Sequence, residues 1–457
     1  MLVSTPPTPA AAQTATDSAQ TRLVAAAAIQ GATRARLGVL GDAFTCADAR
    51  FASFRRSDAQ PDITDQWYVA SQLWADADLI ALAAPPATSP APGPSQVSSP
   101  PEAPLTPGSS SPPILPNWDA QDSRCYLDKG FVFLDRLWDY NSAGYFPRSD
   151  PVGGSVDNTE RYADDNLLAG LAQLATAATT TDPLEVRRYL HAAQREADFL
   201  TDPGTGMWDT TFGGGFWWRT SHGDTDEGKP AQTNALAGLF FGRLYQATGD
   251  PSYREWALRS LLWLDTVLFD PSRGLYRWSV GFQDLTHRTG AVIHQRFFNY
   301  DQSIAIQAEL LAAQLDGDQN RIARARGIGQ AIQTAFWSSD RGSYNLESGV
   351  DQVFTSYAAW TSLGHLALYA TDHDPAWLAM AEQNSAALDA DLRESDAGYA
   401  YRSYRCVDRL AQGCESGQVT HVVDHMRDTS AQAWMQHLEE AVAADVAQSA
   451  VSQPTQP

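Results

Sequence analysis

The sequence predicts an all-α protein in which six helical hairpins close into an (α/α)6 barrel, with short Gly/aromatic hairpin loops. Three observations predict this fold. Helical segments that are apolar on most faces alternate with amphipathic ones; four amphipathic helices begin in similar Asp-containing turns; and each of those four ends at a glycine with an aromatic residue close behind. A helix that is apolar around its circumference is buried. Buried and exposed helices therefore alternate at a period typical of repeat architectures, and an open helical solenoid is the structural alternative.

The elements follow from these patterns in chain order. Buried helices are predicted at 160–178, 229–248, 299–315 and 351–371. The Asp-containing turns that begin the outer helices lie at 181–190, 248–257, 316–325 and 371–380, and Asp before Pro is a strong helix start. The Gly/aromatic turns lie at 204–208, 274–278, 342–344 and 398–401. Further helices at about 19–45, 63–83, 121–140 and 421–443 bring the total to about a dozen.

The domain organisation follows from composition. Residues 18–445 are predicted to form a single barrel domain, between disordered tails at 1–17 and 446–457. Residues 85–116 consist mostly of Pro, Ser, Ala and Thr, so they cannot bury a core and are predicted to be a disordered insertion. No apolar run approaches the ~20 residues of a membrane span, and no secretion signal is visible at the start of the chain.

Charge and cysteine usage limit the partners. The formal net charge of −22 over 457 residues excludes nucleic acid and anionic membranes as expected partners and suits a neutral substrate. The four cysteines show no CxxC spacing, which argues against a zinc site. We predict no metal and no cofactor. Cys406 and Cys414 flank a short polar loop and are either a disulfide or two unpaired thiols.

Asp164 and Asp165 are the first candidates for chemistry, because they are adjacent in the first turn of a predicted inner helix. Like charges raise each other's proton affinity, so one carboxyl can stay protonated while its neighbour ionises. Glycoside hydrolysis requires that division of roles. The alternative is helix capping, because Asp is a favoured N-cap and acids complement the helix dipole.

Three further runs are predicted to border the same cleft. They are Gly213–Trp218, Lys229–Asn234 and Phe298–Gln302. Aromatic faces can stack on sugar rings and glycines let a ligand approach the chain, but aromatics dominate protein cores as well. The other two runs begin inner helices, so their polar side chains either face the cleft or cap the helix. The three runs lie at equivalent positions in successive repeats, which favours the interpretation that they border one cleft.

Together these motifs resemble glycoside hydrolase family 76, the endo-α-1,6-mannanases. The family's Asp-Asp-Asn is matched at 164–166, its Gly-Gly-aromatic-Trp-Trp at 214–218, its Lys-x-x-x-x-Asn at 229–234, and its Tyr-Asn-Gln at 300–302, where Asp301 replaces Asn. The resemblance covers about residues 120–400. It implies an (α/α)6 barrel and retaining cleavage of α-1,6-mannosidic linkages, with Asp164 as nucleophile and Asp165 as general acid/base.

The resemblance also implies a mannan-type carbohydrate as the partner and an extracellular or cell-surface location. A monomer is predicted as well. The residues expected to bind substrate are Tyr162, Asn166, Phe216, Trp217, Trp218, Lys229, Asn234, Tyr300, Asp301 and Gln302. Retaining enzymes hold the two carboxyls about 5–5.5 Å apart. Adjacent helical residues point about 100° apart, so sequence adjacency alone does not dictate that spacing.

Two alternatives depend on particular residues. His421 and His425 are four apart in a predicted helix, a spacing that suits a metal site or the cleft histidines of a sugar epimerase with the same barrel. Structural histidines are the plainer reading, because a third ligand is not evident. Leu167 and Leu168 stand where the family usually has aromatic residues, which leaves a non-catalytic glycan-binding barrel open. The match is also poor at 347–354.

Overall fold

The computed structural model describes residues 9–37, 54–55, 64–83, 115–116, 118–149, 160–222, 228–405 and 421–452. Within these ranges the chain forms twelve α-helices. They are α1 (Pro9–Leu37), α2 (Gln66–Ala83), α3 (Ala120–Asp135), α4 (Ala163–Ala178), α5 (Pro183–Thr201), α6 (Ala231–Thr248), α7 (Pro251–Val267), α8 (Asn299–Asp316), α9 (Gln319–Phe336), α10 (Thr355–Asp372), α11 (Pro375–Leu392) and α12 (Thr429–Ser452).

The even-numbered helices form a closed inner ring. Each packs against the next, and α12 packs against α2, so the last inner helix meets the first. The outer helices α3, α5, α7, α9 and α11 each pack against the inner helix before them, while α1 packs against α12. The predicted (α/α)6 barrel is therefore confirmed, and the open solenoid is wrong because the ring closes.

Inner and outer helices differ in burial and in how they begin. Two thirds of the residues of α6 are buried, whereas α7 buries one face only. The outer helices α5, α7, α9 and α11 begin at aspartate N-caps, each of which accepts the main-chain N–H two residues ahead. These caps are Asp182, Asp250, Asp318 and Asp374. The four predicted Asp-containing helix starts are thus confirmed.

Short antiparallel strands connect each outer helix to the next inner helix. Their bounds are β1 (Phe54–Arg55), β2 (Thr64–Asp65), β3 (Arg148–Ser149), β4 (Lys229–Pro230), β5 (Phe269–Asp270), β6 (Leu275–Tyr276), β7 (Ser279–Gly281), β8 (Val292–His294), β9 (Trp337–Ser338), β10 (Ser343–Tyr344), β11 (Gln352–Phe354), β12 (Arg402–Arg405), β13 (His421–Asp424) and β14 (Arg427–Asp428). The pairs β5–β6 and β9–β10 are the predicted hairpins around Gly274 and Gly342. Both glycines have positive φ, 69° and 68°, which the tight turn requires.

A repeated side-chain clamp attaches these loops to the ring. At the fourth position of α4, α6, α8 and α12, a buried amide side chain accepts the main-chain N–H of an aromatic residue in the preceding loop and donates to the carbonyl four residues back. The clamps and their aromatic partners are Asn166 with Tyr145, Asn234 with Phe216, Gln302 with Tyr276, and Gln432 with Tyr399. The clamp fixes each loop above the inner helix that it precedes.

Several predicted boundaries differ from the structure. Helix α1 begins at Pro9 and α12 continues to Ser452, so both extend into the segments predicted as tails. The last helix begins at Thr429, and residues 421–424, predicted as helix, form β13 because they pair with β12. Most of the 85–116 insertion, Cys406 and Cys414 lie outside the described residues. Among the described helices, none is long and apolar enough to cross a membrane.

Candidate active site

A cavity of about 330 Å³ lies at the end of the ring where the inner helices begin. Five of the six inner helices, α2, α4, α6, α8 and α10, contribute residues from their starts or first turns. The lining residues are Asp65, Trp67, Tyr68, Pro147, Arg148, Tyr162, Asp164, Asp165, Trp218, Pro230, Gln232, Trp278, Tyr300 and Tyr357. A larger groove of about 670 Å³ lies on the outside of the ring and is lined mainly by α3 and α5. It contains neither paired aspartate.

Asp164 is held by two hydrogen bonds at the second position of α4. The indole Nε1 of Trp218 donates to its Oδ2 at 3.1 Å, and the main-chain N–H of Asp165 donates to its Oδ1 at 3.1 Å. Burial raises the pKa of Asp164 to about 7, while these two donors act in the opposite direction because they stabilise the carboxylate. Asp164 is therefore fixed in orientation and ionises near neutral pH.

The surroundings of Asp165 are less favourable for a negative charge than those of Asp164. Burial raises the pKa of its carboxyl well above the ordinary value, and the charges of Asp164 and Asp65 raise it further. Arg148 opposes them. The two neighbouring carboxyls thus differ in environment, with donors aimed at Asp164 and like charges facing Asp165. This asymmetry favours an ionised Asp164 beside a protonated Asp165.

The capping interpretation of the pair is not supported by the helix start itself. The N-cap of α4 is Tyr162, not an aspartate, and it makes no side-chain capping hydrogen bond. The first N–H of α4, at Ala163, is instead donated to the carbonyl of Trp218. The first turn still favours acidic side chains through the helix dipole, but both carboxyls line the cavity.

Asp65 is a third cavity carboxyl, which the sequence analysis missed. It directly precedes α2 and forms an ion pair with Arg148, Nε to Oδ2 3.3 Å. Burial raises the pKa of Asp65 to about 6, and Arg148 opposes this rise. Its position in the chain could have indicated this place in the cavity. Asp65 directly precedes an inner helix, just as the cavity residue Tyr162 directly precedes α4.

Aromatic side chains form much of the cavity wall. Trp218 packs on Tyr162 with ring centroids 4.8 Å apart, and Tyr300 packs on Tyr357 at 4.6 Å. Trp67 and Trp278 complete the aromatic lining. Leu167 and Leu168 are fully buried in the core, so aromatic residues at those positions would not have faced the cavity. The stacking surface comes from other segments of the chain.

Seven of the predicted substrate-binding residues do not line the cavity. They are Asn166, Phe216, Trp217, Lys229, Asn234, Asp301 and Gln302. Asn166, Asn234 and Gln302 are the loop clamps described above. Phe216 packs among Trp208, Phe241 and Trp256 in the core. Burial holds the pKa of Asp301 well above its ordinary value, which the nearby main chain of Gln232 only partly offsets. Tyr162, Trp218 and Tyr300 do line the cavity.

Lys229 anchors the loop that carries Trp217 and Trp218. Its fully buried ammonium donates to Asp209 Oδ1 at 2.6 Å, to the Gly214 carbonyl at 2.7 Å and to the Thr211 carbonyl at 2.9 Å. It also lies 4.6 Å from the ring centre of Trp217. Burial lowers the pKa of Lys229 to about 8, although Asp209 opposes this. Lys229 thus affects the cavity indirectly, because it fixes the loop that carries Trp218.

Lys229→Met should therefore lower stability. The substitution keeps most of the side-chain volume but leaves Asp209 and two carbonyls without their donor, at a cost of about 3 kcal/mol. Thermal melting compared with Lys129→Met provides the measurement, because Lys129 is the chain's other lysine and is exposed. Equal melting temperatures for the two variants would contradict the anchoring role.

The two histidines that the epimerase alternative requires in the cleft lie elsewhere. His421 is an exposed residue of β13, and His425 follows that strand, with its Nδ1 2.7 Å from Glu394 Oε1. They do not share a helical face, because residues 421–428 are not helical. No histidine is among the described residues that line the cavity.

The geometry predicts a pH dependence. A carboxylate that must be ionised loses activity as pH falls through its pKa, so an enzyme that uses Asp164 should lose activity below about pH 7. Asp65→Asn removes a negative charge that raises the pKa of Asp164. The acid limb of kcat/KM should therefore move to lower pH. Asn can still accept the Trp67 N–H that Asp65 Oδ1 accepts, so the helix start is preserved. An unchanged or alkaline-shifted limb would contradict this coupling.

An (α/α)6 barrel whose aromatic cavity holds two carboxyls in different environments fits the class of glycoside hydrolases, and the family match supports that class. The family model for glycosyl hydrolase family 76 matches residues 149–358. The predicted resemblance is confirmed, and the matched segment contains Asp164, Asp165 and Trp218. No curated protein matches the sequence.

Solved structures resemble the chain over most of its length. A family 76 glycoside hydrolase from a bovine Bacteroides thetaiotaomicron strain has 17% identity and a TM-score of 0.66, over 93% of this chain and 77% of that one. An inactive variant of an α-1,6-mannanase from Salegentibacter sp. HEL1_6, with two consecutive aspartates changed to asparagine, is in complex with α-1,6-mannotriose. It has 16% identity and a TM-score of 0.61, over 93% and 99% of the two chains.

The barrel also resembles an enzyme of another activity. Cellobiose 2-epimerase from Spirochaeta thermophila has 14% identity and a TM-score of 0.63, over 93% of this chain and 96% of that one. At these identities the structural likeness establishes the fold alone. Activity has to be argued from the residues of the cavity.

Proposed function

We propose that this protein hydrolyses α-1,6-mannosidic linkages of a mannan-type glycan with retention of configuration. Asp164 is the nucleophile and Asp165 the general acid/base. The observation that carries the proposal is the asymmetry of the pair. Asp164 accepts hydrogen bonds from Trp218 and the Asp165 main chain, whereas Asp165 faces the charges of Asp164 and Asp65.

The reaction follows from these two protonation states. Asp164 Oδ attacks the anomeric carbon while Asp165 gives its proton to the departing glycosidic oxygen, so the C–O bond to the leaving sugar breaks as the bond to Asp164 forms. Asp165, now ionised, removes a proton from water. The resulting hydroxide equivalent displaces Asp164 from the same carbon, and two inversions give net retention.

The lining of the cavity supports a neutral sugar as substrate. Trp67, Trp218 and Trp278 offer flat apolar faces for the C–H edges of sugar rings. The carboxyls and tyrosine hydroxyls offer hydrogen-bond partners for sugar hydroxyls. The α-1,6-mannan assignment rests on the family match and on the α-1,6-mannotriose seen with the Salegentibacter enzyme.

The epimerase alternative finds no support in the cavity. That reading depended on His421 and His425 as cleft bases, yet both are exposed and neither lines the cavity in the part of the chain that the structure describes. The non-catalytic reading depended on Leu167 and Leu168, which are core residues.

The proposal is tested by incubating the protein with α-1,6-mannan, α-1,2-mannan, α-1,3-mannan and cellobiose, and by following the products with proton NMR. We expect hydrolysis of the α-1,6 polymer alone, with α-mannose ends appearing before mutarotation. First-formed β ends would contradict retention. An epimerised disaccharide, or mannan binding without any product, would contradict hydrolysis.

A further inference from the structure

A second cluster of ligating side chains lies where the inner ring closes, between α2 and α12. It consists of Asp78 from α2 and of His437 and Glu440 from α12. One atom from each, His437 Nδ1 and a carboxylate oxygen of each acid, lies within 4.8 Å of the other two. His437 Nδ1 is 3.2 Å from Asp78 Oδ2 and 3.9 Å from Glu440 Oε2.

This cluster is separate from the catalytic cavity. Asp65, which lines that cavity, directly precedes α2, and Asp78 is thirteen residues further along. At 1.5 Å per residue the two lie about 20 Å apart along the helix axis. The proposed hydrolytic reaction does not use any of the three residues.

Two buried atoms of the cluster, Glu440 Oε2 and His437 Nε2, have no hydrogen-bond partner among the described residues, and Glu440 Oε2 is the one that faces the other two ligating groups. Glu440 is 1% exposed, and its Oε2, the oxygen that faces His437, has no hydrogen-bond partner among the described residues. Its other oxygen, Oε1, accepts a hydrogen bond from Gln436 Nε2 at 3.0 Å. A buried carboxylate oxygen without a donor is costly unless a cation or a proton satisfies it.

An ion pair alone does not satisfy this arrangement. A protonated His437 would pair with half-buried Asp78 through Nδ1, but at 3.9 Å it would leave Glu440 Oε2 without a hydrogen bond. Burial raises the pKa of Glu440 well above the ordinary value, and the charges of Asp78 and Asp76 raise it further. A divalent cation would neutralise both carboxylates and give Oε2 a partner.

The surroundings already hold the ligands in place. The imidazole of His437 stacks on Trp434 with centroids 5.0 Å apart and meets the edge of Trp74 at 5.1 Å. Gln436 fixes Glu440 through Oε1 and lies against Asp76. The ring contacts restrict the movement of His437, and the Gln436 hydrogen bond restricts that of Glu440.

We propose that Asp78, His437 and Glu440 bind one divalent transition-metal ion, of the zinc type, that joins the first and last inner helices. Three ligands at about 2.0–2.2 Å from zinc would be about 3.4 Å apart in tetrahedral geometry. The His437–Asp78 distance of 3.2 Å is already close to that value, whereas the His437–Glu440 distance of 3.9 Å would have to shorten. One nitrogen and two carboxylate ligands suit zinc, whereas calcium prefers six to eight oxygen ligands. The half-exposed Asp78 leaves room for water as the fourth ligand.

The test uses the full chain, treated with a chelator, dialysed and titrated with ZnCl2. We expect one zinc ion per chain after gel filtration, and a rise in Tm of several degrees that saturates at that stoichiometry. CoCl2 should give visible d–d absorption bands with the same stoichiometry, and CaCl2 should leave the Tm unchanged. The proposal would be overturned, without any variant, if the native chain retained no zinc or bound calcium equally well.

His437→Gln and Glu440→Gln should lose the bound zinc and the cobalt bands. Asp284→Asn is the matched control, because Asp284 also contacts a histidine, His287, at 2.7 Å, but that pair is exposed and lacks a third ligand. It should keep both signals. Zinc retained by both glutamine variants at the native stoichiometry would overturn the assignment.

Discussion

Asp164→Asn should reduce the hydrolysis of α-1,6-mannan by a factor on the order of 10⁴ or more, as expected when a nucleophile is removed. The asparagine side chain fits the same space and can still accept from Trp218, so cavity shape is preserved. Initial rates on a defined α-1,6-oligomannoside provide the measurement. Turnover within about tenfold of the native rate would exclude Asp164 as the nucleophile.

The same variant should not lose stability. The pKa of Asp164 is raised on folding, to about 7 from an ordinary 3.8, so its ionisation opposes folding increasingly as pH rises from about 4 to about 7. Asparagine carries no charge and removes that cost. The melting temperature of Asp164→Asn should therefore match the native one near pH 4 and equal or exceed it near pH 8.

Asp428→Asn is the matched control for this experiment. Asp428 is also buried immediately before an inner helix, with a pKa raised to about 7 by burial, and it accepts the N–H of Ala431. It does not line the cavity. Activity within a few-fold of native is expected. A loss comparable to that of Asp164→Asn would show that any buried acid at the ring mouth is needed, whatever its position.

The ring of helices could be predicted from the sequence because the residues that begin and end its helices are close together in the chain. Asp182, Asp250 and Asp374 each precede a proline that begins an outer helix, and each caps that helix in the structure. Such capping depends on residues within one turn. The predicted start of the last helix was wrong. His421–Asp424 forms a strand because it pairs with β12, and the local sequence pattern does not show which distant segment a strand will pair with.

The cavity was predictable only in part because it is assembled from distant segments. The adjacent pair at 164–165 and the following Trp218 could be found from motifs. Asp65 and Tyr357 could not, since the chain gives no sign that residues nearly 300 positions apart share one wall. Their proximity results from ring closure between α2 and α12.

Residues that matched family motifs divided into two kinds. Trp218 and Tyr300 line the cavity, whereas Asn166, Asn234 and Gln302 hold loops to inner helices. A signal for the second kind was present in the sequence. An amide at the same position of several inner helices indicates a structural role that recurs around the ring, since substrate meets only part of the ring.

Asp165→Ala should reduce kcat/KM on α-1,6-oligomannosides by about 10²–10⁴-fold, the usual contribution of a general acid/base. The loss should be much smaller for a dinitrophenyl α-mannoside in the first step, because that leaving group departs without a proton. Hydrolysis of the glycosyl-enzyme would then become slow, since no base activates water. A burst of dinitrophenol followed by slow turnover is therefore expected.

The pH profile gives a second measure of the same role. If Asp165 is the general acid, the alkaline limb of kcat/KM in the native enzyme should report loss of its proton, because burial and neighbouring charges raise the pKa of Asp165. Asp165→Ala should lack this limb and retain the acid limb that belongs to Asp164. An alkaline limb that persists unchanged would assign the acid to another group.

Azide distinguishes the two aspartates through the configuration of the product. In Asp165→Ala, Asp164 still forms the glycosyl-enzyme, and azide can replace the unactivated water, giving an α-mannosyl azide after two inversions. In Asp164→Ala, azide can attack the substrate directly from the side that the carboxylate left, and one inversion gives a β-mannosyl azide. A β-mannosyl azide from Asp165→Ala and an α-mannosyl azide from Asp164→Ala would show that Asp165 is the nucleophile and Asp164 the general acid/base, because each inversion requires its own nucleophile.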